Sequence, residues 1–135
     1  MKRKAVIAIV NYEGKVLVGK KKKDSKGYLA GDWHILGGKV EEGETYRSAL
    51  MRGIYEEAGI NELNLIIGRY ISSHISPTMK REARWYECFS STDRIVAGSD
   101  LEDVIWVDKK EVINKCSEKS VELWPKEIKD YFNIS

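Results

Sequence analysis

The segment between Thr45 and Ala58 constrains the fold more than any other part of the chain. Its apolar residues recur at a spacing of about 3.6 residues, which predicts an amphipathic α-helix with one face turned toward a core. Gly59 follows directly, and a glycine in this place is typical of a helix C-terminus because it adopts positive φ without strain. The predicted apolar face consists of Tyr46, Ala49, Leu50, Ile54 and Ala58.

Apolar, β-branched segments on both sides of this helix predict β-strands. Before the helix, the predicted strands are Lys4–Asn11, Val16–Gly19 and Trp33–Leu36, with a tight turn at Glu13-Gly14 and a second turn at Gly37-Gly38. After it come strands at Leu63–Ser72, Ala83–Ser90 and Val104–Val107, then a terminal helix at Pro125–Phe132. This order indicates an α/β fold with a mixed sheet between helices, and the length predicts a single domain over residues 1–135.

The composition excludes several classes of partner. Lys and Arg number 23 against 21 for Asp and Glu, so we expect neither long nucleic acid nor an acidic membrane surface as the main partner. No run of about 18 apolar residues occurs, which predicts no membrane-spanning helix. Lys2-Arg3-Lys4 precedes an apolar run that is too short for a signal peptide, and a first strand is the preferred interpretation.

The two cysteines, Cys88 and Cys116, are far apart in the sequence and form no metal-binding pair. Unpaired thiols are typical of a reducing compartment. The sequence therefore predicts a cytoplasmic protein with two free thiols, and a disulfide between them stays an alternative.

Acidic residues are concentrated around the predicted helix. Glu41, Glu42 and Glu44 precede it, and Glu56 and Glu57 lie in its last turns. Arg52 is four residues before Glu56, so these two side chains stack on the same face, and we expect Arg52, Glu56 and Glu57 to avoid the apolar face.

Carboxylates that lie this close together repel each other and need a positive counter-charge. A hard cation such as Mg²⁺ or Mn²⁺ prefers oxygen ligands and is usually shared with substrate phosphates. The alternative is a solvated acidic helix with ordinary surface ion pairs.

The spacing of these residues favours the metal site. Five residues separate Gly38 from Glu44 and seven separate Glu44 from Arg52; the sequence then continues Gly53-Ile54-Tyr55-Glu56-Glu57-Ala58-Gly59-Ile60. This pattern resembles the Nudix box, G-x5-E-x7-R-E-U-x-E-E-x-G-U, where U is a bulky apolar residue. Eight of the nine specified positions agree. The resemblance extends to the lead-in WHILGGKVEEGET and to a late strand at Leu101–Val112.

The resemblance implies a Nudix-type α/β/α sandwich in which the box forms a loop-helix-loop motif. It implies hydrolysis of a nucleoside diphosphate linked to another group, with Mg²⁺ or Mn²⁺ as cofactor. Glu56, Glu57 and the Gly38 carbonyl match the metal-binding groups, Arg52 matches an arginine that orients carboxylates, and Glu44 matches a supporting glutamate. The family includes monomers and homodimers, and we leave the oligomeric state open between them.

Two positions depart from the family pattern. Leu36 replaces a usual proline, which affects turn rigidity more than chemistry. Gly53 replaces a box glutamate that ligates metal or acts as general base. Three interpretations follow: another loop supplies the carboxylate, the enzyme is weak or inactive, or the fold serves as a nucleotide- or ADP-ribose-binding module. The substitute carboxylates considered are Glu102 and Asp103 first, then Asp100, Glu82 and Glu87.

Several other residues are candidates for contact with substrate. An aromatic side chain can stack on a nucleobase; the candidates are Trp33, Tyr28, Tyr86 and Trp124. His74, predicted in a loop, is a candidate base near neutral pH, whereas we expect His34 to pack or to lie at the rim. Pro77 resembles a marker of ADP-ribose hydrolases in the family, which keeps that substrate open.

Overall fold

The computed structural model describes residues 3–76 and 80–132. Seven strands and one long helix follow each other along the chain in the order β1 (Arg3–Tyr12), β2 (Lys15–Lys21), β3 (Trp33–Ile35), β4 (Gly37–Lys39), α1 (Tyr46–Ala58), β5 (Leu65–Ser76), β6 (Arg81–Ser90) and β7 (Leu101–Asp108). A 3₁₀ turn at Lys109–Glu111 leads into the short helices α2 (Val112–Lys115), α3 (Glu118–Glu122) and α4 (Lys126–Phe132). Among the described residues, no helix is long and apolar enough for a membrane crossing.

The seven strands form one mixed sheet with a split near its centre. The main order is β3-β2-β1-β6-β5, with β1 and β6 parallel and the other pairs antiparallel. β1 pairs with β2 only next to their turn, at Asn11↔Val16 and Tyr12↔Lys15, because β4 takes the same edge of β1 further along. The chain therefore crosses from β2 to β1 through β3 and β4, and this crossing positions the site.

Both faces of the sheet are covered, which confirms the α/β sandwich. On one face α1 contributes Ala49, Leu50 and Ile54 to a cluster with residues of β1 and β2 such as Val6 and Leu17. On the other face α2 and α4 pack Val112, Ile128 and Phe132 against Ile9, Val16 and Trp85. Burial of these side chains provides the main stabilisation of each layer.

Both predicted ends of α1 are confirmed. Thr45 is the N-cap, and its hydroxyl accepts a hydrogen bond from the backbone N–H of Ser48 at 3.0 Å. Ser48 returns the contact through its own hydroxyl, which accepts from the Thr45 N–H at 3.1 Å. Gly59 has φ of 75° and donates its N–H to Tyr55 O. The sequence at the two ends thus fixes the length of the helix.

Other predictions need correction. Gly37 and Gly38 form strand β4 rather than a turn, because Gly37 lies against β1 in the ladder. His74 lies in β5 rather than in a loop, since β5 continues to Ser76. Helices α2 and α3 were not predicted, because four or five residues are too few to show a helical period. Pro77 lies outside the described residues.

The capping geometry leads to a stability prediction. Thr45→Ala removes the acceptor for the Ser48 N–H and should lower the free energy of unfolding by about 1 kcal/mol. Thr45→Ser keeps the hydroxyl and should stay within a few tenths of the wild type. Urea unfolding followed by circular dichroism measures both; equal stability of the two variants contradicts the assigned cap.

Candidate active site

Close approach between α1 and β4 creates the floor of the site. A Cβ at Gly37 would lie 2.6 Å from the carbonyl oxygen of Val6, so only glycine fits beside β1 at this place. A Cβ at Gly53 would lie 3.9 Å from the Gly38 Cα, which is ordinary van der Waals contact. The expected close backbone approach at the glycine pair is confirmed. Gly53 also faces β4, but this contact does not require a glycine at position 53.

Arg52 connects the three parts of the motif. Its Nε and Nη2 donate to the two carboxylate oxygens of Glu44 at 2.7 and 2.9 Å. Nη2 also donates to the Lys39 carbonyl at 2.8 Å, and Nη1 donates to Glu56 Oε1 at 2.6 Å. The predicted pairing of Arg52 with Glu56 is confirmed. Hydrogen bonds from Arg52 hold the pKa of Glu44 at about 2, so Glu44 stays ionised as a fixed partner of the guanidinium.

Glu57 differs from the expectation that it avoids the apolar face. It is only 7% exposed and lies among the buried positions of α1. Its Oε1 accepts a hydrogen bond from the Gly37 N–H at 3.2 Å. Burial is the main cause that raises the pKa of Glu57 to about 7; Asp100 and Glu56 raise it further, and Lys21 opposes the shift. A desolvated carboxylate of this kind favours a nearby cation.

A cavity of about 520 Å³ opens beside this carboxylate. Its wall includes Gly38, Gly53, Glu56 and Glu57 from the motif. Residues of β1, β2, β3, β5 and β6 and of the loops at 26–29 and 99–100 also line it. The volume lies within the range of small-ligand pockets, roughly 300–1,000 Å³. The acidic groups of the box therefore face a space large enough for a nucleotide.

Not all residues that were expected to contact the substrate lie on the cavity wall. Trp33, Glu102 and Asp103 are not among the residues that line the cavity. Trp33 packs against the hydrophobic cluster of α2 and α4, and Lys115 Nζ lies 4.3 Å from the centroid of its ring. Glu102 pairs with Lys20 at 3.2 Å, and Asp103 accepts from the Val104 N–H at 2.9 Å. Their carboxylates are thus engaged elsewhere.

Asp100 is the later-loop carboxylate that does line the cavity. It accepts a hydrogen bond from Lys21 Nζ at 2.7 Å, and both residues influence the pKa of Glu57 electrostatically. Neither Glu82 nor Glu87 lines the cavity. Among the candidate stacking residues, Tyr28 lines it, whereas Tyr86 and Trp124 do not.

Lys21 lines the cavity, although the sequence analysis did not single it out. The β2–β7 pairing shifts register between Lys20 and Lys21, so Lys21 is paired with Leu101 rather than with Glu102. The side chains then form ion pairs: Lys20 with Glu102 and Lys21 with Asp100. No local signal in the sequence marks this irregularity.

The residues present fit a divalent cation with a reduced set of ligands. Among residues 3–76 and 80–132, no group of three or more His, Cys, Asp or Glu side chains has an arrangement that could hold a metal ion. Two carboxylates, Glu56 and Glu57, remain beside the Gly38 backbone. Mg²⁺ is often bound by one or two carboxylates together with substrate phosphates, and the number of carboxylates here matches that pattern.

Comparisons with known proteins agree with this architecture. A family model described as the NUDIX domain matches residues 1–132. A crystal structure of a NUDIX hydrolase from Nitrosomonas europaea superposes with a TM-score of 0.78 at 19% sequence identity, covering 97% of this chain and 70% of that one. At this identity the structural likeness supports the fold alone.

Two curated proteins share sequence with the chain. It is 41% identical over 69 residues to the CTP pyrophosphohydrolase of Escherichia coli strain K12, a match that covers 51% of this chain and 47% of that protein. It is 27% identical over 122 residues to the nucleoside triphosphatase NudI of Escherichia coli strain K12 / DH10B, covering 83% and 86%. The chain thus spans about half the length of the first relative.

The raised pKa of Glu57 predicts a pH-dependent stability in chelator-treated protein. Since the pKa of Glu57 is about 7 in the folded state and the ordinary value for a glutamate is 4.5, the protonated form stabilises the fold. This contribution is complete below about pH 4.5 and is lost as the pH rises toward 7. The loss should be on the order of 3 kcal/mol.

Glu57→Gln should remove this part of the pH dependence, because glutamine does not titrate. Glu62→Gln, at an exposed position just beyond α1, is the matched control and should keep the wild-type profile. Urea unfolding between pH 4.5 and pH 7.5 measures the three profiles. If Glu57→Gln and the wild type have the same slope, the assignment is wrong.

Proposed function

The chain belongs to the Nudix family, and we propose that it hydrolyses a phosphoric anhydride bond in a nucleoside triphosphate or another nucleoside diphosphate derivative with the help of Mg²⁺ or Mn²⁺. The observation that carries the proposal is Glu57, a buried carboxylate with a raised pKa that faces a nucleotide-sized cavity. Its desolvation favours a cation, and the motif supplies Glu56 beside it. The names of the relatives point to the same substrate class.

In this proposal Glu56, Glu57 and the Gly38 carbonyl hold the cation. When bound, a divalent cation neutralises charge on the diphosphate oxygens and makes nearby water more acidic. Arg52 fixes the orientation of Glu56 through its 2.6 Å hydrogen bond, and Glu44 fixes Arg52. Lys21 would attract the phosphates from the cavity wall. Each of the roles of Glu44, Arg52, Glu56, Glu57 and Gly38 is taken from the matching position of the family motif. The contacts of Lys21, Arg52 and Glu44 in this chain support the arrangement.

The missing glutamate at Gly53 leaves the general base to be assigned. Either the role is unfilled in this chain, or Asp100 fills it as the later-loop candidate on the cavity wall. Burial by itself would raise the pKa of Asp100, but the hydrogen bond and the charge of Lys21 outweigh it and lower the pKa. The carboxylate is therefore ionised at neutral pH and able to accept a proton from water.

A second candidate function is a binding module for nucleotides or ADP-ribose. The absence of a three-carboxylate cluster in the described part of the chain favours it.

For either function we propose a cytoplasmic protein, monomeric or homodimeric, in which Cys88 and Cys116 are buried free thiols. Burial raises the pKa of each thiol to about 12, which makes both unreactive.

A nucleotide panel tests the proposal. We expect release of phosphate or pyrophosphate from at least one nucleoside triphosphate or nucleoside diphosphate derivative, dependent on added Mg²⁺ or Mn²⁺. The Glu56→Gln, Glu57→Gln double variant should lose this activity and bind Mn²⁺ more weakly, whereas Glu62→Gln should match the wild type. Tight nucleotide binding without turnover supports the module instead. If no nucleotide in the panel is either hydrolysed or bound, the enzyme and the binding module are both contradicted.

Gly53 gives a sharper prediction. A side chain there meets only ordinary contact with Gly38, and residue 53 is four positions before Glu57 on the helix. Gly53→Glu should therefore raise kcat/KM at saturating Mg²⁺, by as much as the roughly 10²–10⁴-fold that general-base assistance supplies. Gly53→Ala is the matched control: it gains at least as much helix propensity as Gly53→Glu without a carboxylate and should leave kcat/KM near the wild type.

The rival outcome concerns Asp100. If Asp100 already fills the role, Gly53→Glu gives no rise, and Asp100→Asn lowers kcat instead. Asp103→Asn is the control for this substitution, because Asp103 does not line the cavity. If the wild type is active and neither Gly53→Glu nor Asp100→Asn changes its kinetic constants, both accounts are excluded.

A further inference from the structure

Three residues of the cavity wall each have a buried side-chain nitrogen without a hydrogen-bonding partner among the described residues: His34, Arg81 and Trp85. These three atoms are closed off from solvent, so none of them binds an occupant of the cavity directly. Trp85 has no second polar side-chain atom, and Nδ1 of His34 is bound to the Ile35 carbonyl. Arg81 differs, because its guanidinium has two further nitrogens, Nη1 and Nη2.

The two terminal nitrogens of Arg81 are accessible donors. Within residues 3–76 and 80–132 they have no hydrogen bond or ion pair, and they are not among the buried unpaired atoms. Burial and the like charge of Arg3 both lower the pKa of Arg81, and no acidic group opposes them. A partly buried cation without a partner destabilises the fold, and native proteins contain few such groups. Arg81 is therefore a candidate for contact with a ligand.

The cavity passes through the split in the sheet, where β1 leaves β2 and pairs with β4. On one side of the split it is lined by Glu57 and the other carboxylates at α1. On the other side its wall is the face of the sheet that α2 and α4 cover, which includes Trp85. Alternation along β6 places Arg81 on that same face. An occupant can thus extend from Glu57 through the split to Arg81.

The cavity has an acidic end and a basic end. Its acidic residues all belong to the motif or to the loop before β7: Glu41, Glu56, Glu57 and Asp100. On the other face, small and apolar side chains of β1 and β6 lead to Arg81; they are Ala5, Ile7 and Ala83. The acidic end suits a cation with a diphosphate, whereas the basic end suits a neutral or anionic group that accepts hydrogen bonds.

The separation of the two ends decides which part of a nucleotide reaches Arg81. Gly37, whose N–H binds Glu57, is level with Trp85, and Arg81 is two strands away and four residues further along β6. Standard strand geometry then puts the Cα atoms of Gly37 and Arg81 on the order of 16 Å apart. A single phosphate group does not span this distance. A nucleotide with its diphosphate at Glu57 therefore turns its base toward Arg81.

The guanidinium restricts the base that fits. Nη1 and Nη2 present two parallel N–H donors and no acceptor. Guanine has two adjacent acceptors in O6 and N7, and cytosine has them in O2 and N3. In adenine the neighbour of N7 is an amino donor, and in uracil an N–H separates the two carbonyls.

We propose that Nη1 and Nη2 of Arg81 donate to two adjacent acceptors on the base of the substrate, which makes the site prefer guanine or cytosine nucleotides. Arg81 is then a specificity-determining residue. The inference rests on the proposed function, because it names the substrate class of that same site.

The test compares AMP, CMP, GMP and UMP by calorimetry with Mg²⁺ present, since monophosphates have no anhydride bond to cleave. We expect GMP or CMP to bind most tightly. That nucleotide is then compared with an analogue that lacks one of the two acceptors, 7-deaza-GMP or 3-deaza-CMP. The wild type should bind the parent about 10-fold more tightly than the analogue, in line with the discrimination of a bidentate arginine contact.

Arg81→Met keeps an unbranched side chain without donors, so it should bind parent and analogue equally and leave the affinity for AMP unchanged. It should also melt no lower than the wild type, because no partner within the protein is lost. Arg81→Lys keeps donors and should retain part of the preference. Arg94→Lys, at an exposed position outside the cavity wall, is the matched control and should retain all of it.

The proposal is overturned if AMP or UMP is the tightest binder, if Arg81→Met keeps the preference for the parent, or if no monophosphate binds at millimolar concentration. An equal loss of affinity for all four monophosphates in Arg81→Met assigns Arg81 to the phosphate and also overturns it. The base preference is measured without turnover. An inactive protein can show it and an active one can lack it, so the two proposals fail independently.

Discussion

The guanidinium of Arg52 is the contact on which the rest of the site depends. It reaches the acidic loop through Glu44, strand β4 through the Lys39 carbonyl, and its own helix through Glu56. A planar donor with five N–H groups is suited to three partners in fixed directions, which lysine cannot match. Because loop, strand and helix are joined at one side chain, the glycine floor and the carboxylates keep a fixed relation to each other.

The two glutamates at the end of α1 have different physical states despite being adjacent. Glu56 is exposed and neutralised by Arg52, whereas Glu57 is buried with a raised pKa and accepts from one backbone N–H. A helix that turns 100° per residue places neighbours on different faces, so a single dipeptide spans both solvent and core. The buried carboxylate is the one that a cation stabilises most, since it has lost most of its hydration.

Sequence reasoning succeeded where the signal was local. The period of α1, its beginning near Thr45, its end at Gly59 and the pairing of Arg52 with Glu56 all depend on residues a few positions apart. It failed where long-range strand pairing decides. The register shift in β2 that directs Lys21 to Asp100 and leaves Glu102 with Lys20 has no local signature, and the burial of Glu57 depends on β4 lying across the helix.

The split in the sheet explains why cavity and motif occur together. β1 cannot pair with β2 along its whole length, because β4 occupies that edge from Ala5 to Ile7. The crossing chain brings His34 of β3 and the two glycines of β4 within four residues of one another. A close backbone approach at one end of this crossing and the buried His34 at the other therefore share a single cause. Substitutions at Gly37, where a Cβ would meet the Val6 carbonyl, would disturb the floor beneath the carboxylates and the wall beside His34 together.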